Sequence, residues 1–258
     1  MSPDVSFPGL EVYILGAMWS CFMRAAILGL ALWAGPLMAG ELSEFNAAVE
    51  NAAAHNRVAI GYLRTGNDDL ASLEIDRLRE AWGQVSQRFS GKRPDAFDGN
   101  PLYASIWTGV STRLVAADMM LKSGRDEAAI EALNGLRGDL AALRKASGIV
   151  VLADCVRDAN AVLDTLMRYN DAALDFTKPE TRFAVAGKTS IYGYELERCD
   201  AIASEPVRNS PEFRRLVDGA KASLALIPAA IATRGGELLH RVLIELRSFD
   251  NLLAFRFG

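Results

Sequence analysis

Two cysteines, Cys155 and Cys199, carry the clearest chemistry in this 258-residue sequence, and a third, Cys21, lies near its amino end. Such thiols can close a disulfide or stay free and buried as small core hydrophobes. No Cys-x-x-Cys occurs and no adjacent basic group would lower both pKa values, which disfavours a redox-catalytic pair. The only two histidines, His55 and His240, each fall inside a predicted helix. Glu237 stands three residues before His240 and shares its face, whereas Glu50 stands five before His55 and does not. A di-iron centre needs a second Glu-x-x-His, and there is none. Tyr192 and Tyr194, two apart and so on different helix faces, adjoin a long polar segment and form a candidate recognition surface. The bland alternative is that both rings pack that segment down. Glu195, Glu197 and Asp200 offer carboxylates, but nothing positions them against a nucleophile or base. With no Gly-rich phosphate loop, Gly-x-Ser-x-Gly or His-Glu-x-x-His, no enzyme and no metal centre are expected.

These residues must be positioned by helices. Apolar residues recur at three- and four-residue spacing from Phe45 to Leu63 and from Leu70 to Val85, with Thr65-Gly66-Asn67-Asp68 between. That is a helical hairpin, in which Gly66 ends one helix and Asn67 or Asp68 caps the next. A polar loop spans Ser90 to Gly99. Asn100-Pro101 opens a third helix, and a fourth runs from Ala129 to Leu143. Further on, the pattern predicts a helix from Ile149 to Met167, a long polar loop over 170–188 and a short helix from Ile191 to Ala203. One helix then opens at Ser210-Pro211-Glu212, and the last runs from Glu237 to Phe255 after the turn at 233–236.

The two halves overlay at an offset of 110, with Pro101 on Pro211, Gly109 on Gly219 and Glu127 on Glu237. Leu133, Leu136 and Arg137 fall on Leu243, Leu246 and Arg247. The expected fold is therefore all-α: two tandem four-helix up-down units, 40–147 and 148–258, related by duplication. On antiparallel helices about 1.5 Å per residue sets Cys155 and Cys199 roughly 22 Å and 16 Å from their connecting loop. A skewed crossing absorbs that difference. A disulfide there would close a loop of roughly 45 residues, on the order of 3–4 kcal/mol.

Upstream, Met23-Arg24 followed by the apolar run Ala25 to Ala34, then Gly35-Pro36 and Leu37-Met38-Ala39, reads as a signal peptide over 23–39. Gly35-Pro36 breaks its helix, and cleavage is expected near Ala39 or Gly40. The run is too short to cross about 30 Å of hydrocarbon, so no stable membrane span is expected after cleavage. Residues 1–22 fit no leader and read as an extension ahead of the true start. Cleavage removes Cys21 and leaves one cysteine pair for an oxidising, periplasmic or extracellular compartment. The net charge of −4 and the lack of a basic stripe argue against nucleic acid.

Two resemblances accompany these patterns. Tyr62 to Asn67 and Leu121 to Ala129 resemble the inter-helix turn of tetratricopeptide hairpins, but 58 residues separate them instead of that repeat's 34 or so, and no peptide-binding role is carried over. An exported four-helix bundle resembles cytochromes of the b and c-prime types. The covalent variety needs Cys-x-x-Cys-His, which is absent. A non-covalent haem b would take His240 with Met119, Met120 or Met167 as its axial pair. The primary expectation is a non-enzymatic exported protein that binds a protein partner or small ligand in the groove between its units. The alternative is a haem- or metal-carrying bundle using His240.

Overall fold

The computed structural model describes residues 35–170 and 174–258, with side chains from residue 40 onward. The expected extension over 1–22, Cys21 and the signal peptide as far as residue 34 lie outside the described residues.

Four helices arise where the apolar spacing is strongest: α1 (Gly35–Arg64), α2 (Asp68–Phe89), α3 (Leu102–Lys122) and α4 (Asp126–Ala146). Each hairpin turns on a glycine in the left-handed region, Gly66 at φ 68° and Gly124 at φ 66°. In the first, the Gly66 amide bonds Leu63 O and the Asn67 amide bonds Tyr62 O, which closes the helix end. Asn67 does not cap α2 with its side chain as expected; its Nδ2 donates back to Thr65 Oγ1 at 2.7 Å. The expected polar loop at 90–99 contains a 3-10 turn, Asp95–Phe97, that drives Phe97 into the core. There Phe97 meets Phe45 and Tyr103 edge-on and tilted, at 5.0 and 5.2 Å between centroids. α1 packs on α2 and α4, and α3 on α2 and α4, closing a four-helix ring around one core.

A second ring follows: α5 (Leu152–Met167), α6 (Pro179–Ile202), α7 (Glu205–Arg208), α8 (Pro211–Leu224), α9 (Ile227–Ala232) and α10 (Gly236–Phe257). α5 packs on α6 and α10, and α8 lies between α6 and α10 around a separate core. Among the described residues there is no strand, and no helix is long and apolar enough to cross a membrane.

Two expectations are corrected here. The polar loop expected over 170–188 is shorter and the helix expected at Ile191–Ala203 longer, because α6 starts at Pro179. Val185, Tyr192, Leu196 and Cys199 face the core, while Phe183, Ile191 and Tyr194 lie exposed, so apolar residues on two faces blur the helical period. The single helix expected after Ser210 is broken, because Pro228 has no amide to donate to Leu224 O. Elsewhere, positions 110 apart are buried in both units, among them Ile106 and Leu216, Leu114 and Leu224, and Leu133 and Leu243.

Candidate functional site

The residues singled out by type are mostly engaged in structure. Cys155 and Cys199 face each other between α5 and α6 at disulfide distance, with Cα atoms 5.4 Å apart. Tyr192 is not on the surface as expected. It is fully buried, and its hydroxyl donates to Asp250 Oδ1 at 3.2 Å. Successive helical positions two apart point to opposite sides, so Tyr194 is the exposed ring of the pair. His55 Nδ1 lies 2.7 Å from Glu74 Oε2, a satisfied structural contact.

His240, on α10, has a buried Nδ1 with no partner among the described residues. It stands in the second unit, whereas Met119 and Met120 stand on α3 in the first. Met119 is exposed and Met120 packs on the first core. α10 packs on α5, α8, α9 and α1, so the helices carrying this His and these Met residues are not neighbours. Met167, at the end of α5, is packed against the second core. Glu195 pairs with Arg198 at 2.9 Å, and Glu197 is exposed. Asp200 is held by Arg214 at 2.6 Å and Lys221 at 3.3 Å. Burial raises the Asp200 carboxyl, but those bonds outweigh it and leave it below the usual range. No group of three or more His, Cys, Asp or Glu side chains suited to a metal ion occurs among the described residues.

The seam between the units is incompletely filled. α1 and α4 of the first unit meet α5 and the end of α10 there. Two guanidinium clamps hold it. Arg144 on α4 bonds Asp154 on α5 through Nε and Nη2, at 2.7 and 2.6 Å, with both side chains buried. Arg57 on α1 donates to the carbonyls of Phe255 (3.0 Å) and Gly258 (2.7 Å) at the end of α10, and to Glu50 at 2.6 Å. Gly61 makes room for the Phe255 ring, which a Cβ would approach to 3.3 Å.

Beside these clamps lies a cavity of about 370 Å³ with mainly apolar walls, among them Val49, Ala53, Leu140, Leu152, Ile202 and Phe257. Two polar atoms bordering it, Asn46 Oδ1 and Arg157 Nε, are buried and have no hydrogen-bond partner among the described residues. A second cavity of about 500 Å³ lies next to it and is basic: Arg57, Arg64, Arg137, Arg157 and Arg247 line it, against one acidic wall residue, Asp164. Arg137 and Arg157 border both cavities. Burial, followed by the charges of Arg57, Arg157 and Arg64, lowers the Arg137 guanidinium to about 10, so it stays charged at neutral pH.

No family model, curated protein or solved structure was found to match this chain.

The groove between the units was expected from the sequence, but the arginines that line it were not, because arginines carry no catalytic signature. A signal was present in their spacing. Glu50, Arg57 and Arg64 on α1, and Arg137 and Arg144 on α4, recur every seventh residue, which keeps them on one face of each helix. Arg137 and Arg247 also occupy equivalent places in the two units.

Proposed function

We propose that this is an exported, non-enzymatic binding protein whose small ligand occupies the apolar cavity at the seam between two duplicated four-helix units. The observation that carries the reading is the cavity of about 370 Å³, apolar-walled with two unpartnered buried polar atoms at its border. Small-molecule sites are of that size and make-up: a few hundred Å³, mostly hydrophobic, with few polar groups to orient the ligand. Two of the three carboxylates singled out for acid–base work, Glu195 and Asp200, are held in ion pairs. Export draws support from the leader-like run at 23–39 and from Cys155 and Cys199 at disulfide distance. Cleavage near Ala39 or Gly40 leaves Phe45, the first residue of the described core, in place. Duplication draws support from the shared burial pattern at an offset of 110.

Native mass spectrometry of protein recovered from the periplasm tests the reading directly. The expected result is a retained small molecule that Ala53→Trp, which fills the cavity, expels without unfolding the protein. A bare chain mass, with no ligand from a broad thermal-shift screen, would overturn it. Recovery of the full precursor from the cytoplasm would overturn export.

A further inference from the structure

Three arginines of the basic cavity have carboxylate partners, the one on Arg157 being shared with Arg198. Arg57 has Glu50 at 2.6 Å, Arg157 has Asp158 at 2.9 Å, and Arg247 has Asp164 at 2.6 Å. Arg64 and Arg137 have no side-chain carboxylate within ion-pair distance among the described residues. They are not equivalent. Arg64 is exposed and keeps its water, so it has little need of a counter-ion. Arg137 is partly buried, pressed by three like charges, and lies where the apolar and basic cavities adjoin. Its Nη2 sits against Gly258, where a Cβ would stand only 2.8 Å away. A desolvated charge without a partner is costly, and a guanidinium's forked donors match the two oxygens of a carboxylate.

We infer that the ligand of the seam is an amphiphilic monoanion, an acyl or aryl carboxylate, with its apolar body in the 370 Å³ cavity and its carboxylate on Arg137. This rests on the apolar cavity being a ligand site, as proposed above, and adds the charge and polarity of what enters it. One unpaired, partly buried guanidinium calls for one negative charge. A polyphosphate would need several free cations, and Arg57, Arg157 and Arg247 each already face a carboxylate. The apolar walls exclude a small hydrophilic anion as the sole occupant, since it would leave Val49, Leu140 and Ile202 facing an unfilled cavity. The orienting group for the rest of the ligand is Asn46, whose Oδ1 accepts a hydroxyl or amide donor where the ligand carries one.

Calorimetric titration below micellar concentration, with decanoate, decanol and inorganic phosphate as probes, separates the possibilities. Decanoate is expected to bind about tenfold or more tighter than decanol, and phosphate not measurably, because one charge-assisted pair in a desolvated site is worth that factor. Arg137→Gln is expected to bring decanoate down to the decanol affinity, and Arg137→Lys to restore part of the difference. Equal binding of decanoate and decanol to the unaltered protein overturns the anion assignment while leaving the apolar cleft standing. A preference for decanoate that survives Arg137→Gln also overturns it, since Arg137 would then serve only Gly258. Binding of neither amphiphile removes the cleft reading itself.

Discussion

Arg144 of the first unit and Asp154 of the second form a two-bond ion pair from which water is largely excluded, with each residue under a tenth exposed. The bond joins the last turns of α4 to the first turn of α5, so it holds the chain where one unit passes into the next. Removing one partner strands a buried charge, whereas replacing both with apolar groups does not. Asp154→Ala is therefore expected to cost about 3–5 kcal/mol, and Arg144→Met combined with Asp154→Leu to recover most of it. Urea unfolding of the two single variants and the double variant gives the coupling. A single-variant cost below about 1 kcal/mol would show that solvent reaches the pair.

Asp250 gives the fold a pH dependence. Burial raises its carboxyl from 3.8 to about 6, against the opposing pull of Tyr192, Arg247 and Asn160. Across that window the folded protein keeps a proton that the unfolded chain has released. The contribution to stability is complete below pH 4 or so and is lost as pH rises through 6, on the order of 3 kcal/mol in all. Asp250→Asn is expected to flatten that part of the stability profile between pH 4 and 7. Tyr192→Phe removes a donor to the carboxylate and should shift the loss to higher pH, while Tyr194→Phe should change nothing. An unchanged profile in Asp250→Asn would refute the assignment.

Arg234 occupies a left-handed turn, at φ 53°, in the place that Gly124 holds in the first unit. The Gly235 amide bonds Ala230 O at 2.8 Å, closing α9 as the Arg125 amide closes α3 on Met120 O. An L side chain pays about 1 kcal/mol or more for that conformation, part of which glycine gives back as backbone entropy. Arg234→Gly should stabilise the second unit by a few tenths to about 1 kcal/mol, read as a rise in Tm. The reverse change in the first unit, Gly124→Arg, should lower it.

The cysteine pair ties α5 to α6 across a sequence separation of 44. Thiol titration of denatured, unreduced protein from an oxidising compartment should find neither Cys155 nor Cys199 free. Reduction, or Cys155→Ala with Cys199→Ala, is expected to cost on the order of 4 kcal/mol, felt in the second unit before the first. Two titratable thiols in mature protein would show that the pair is merely packed. That outcome would weaken the case for export.

Much of this molecule is legible from local pattern. The three- and four-residue periods of Phe45–Leu63, Leu70–Val85 and Ala129–Leu143 specify amphipathic helices because a helix must bury one stripe. Gly66, Gly124 and Pro101 mark turns and starts through backbone sterics alone. The face-to-face approach of Cys155 and Cys199 was expected from two antiparallel helices, although the residue count behind it started α6 too late. The first half of α6, ahead of the expected helix at Ile191–Ala203, was hidden because Phe183, Ile191 and Tyr194 lie exposed off its core face and blur the period. Which of Tyr192 and Tyr194 would be buried was equally open: both are two-sided side chains, and only the seat of Asp250 on α10 decides it. The charges at the seam are the clearest case of what tertiary structure alone settles. Arg137 is an ordinary surface-type residue in sequence, and its charge matters only because Arg57, Arg157 and an apolar cavity converge on it from three other helices. Periodicity reports which side of a helix is covered. It carries no information about which distant charges share the same desolvated space.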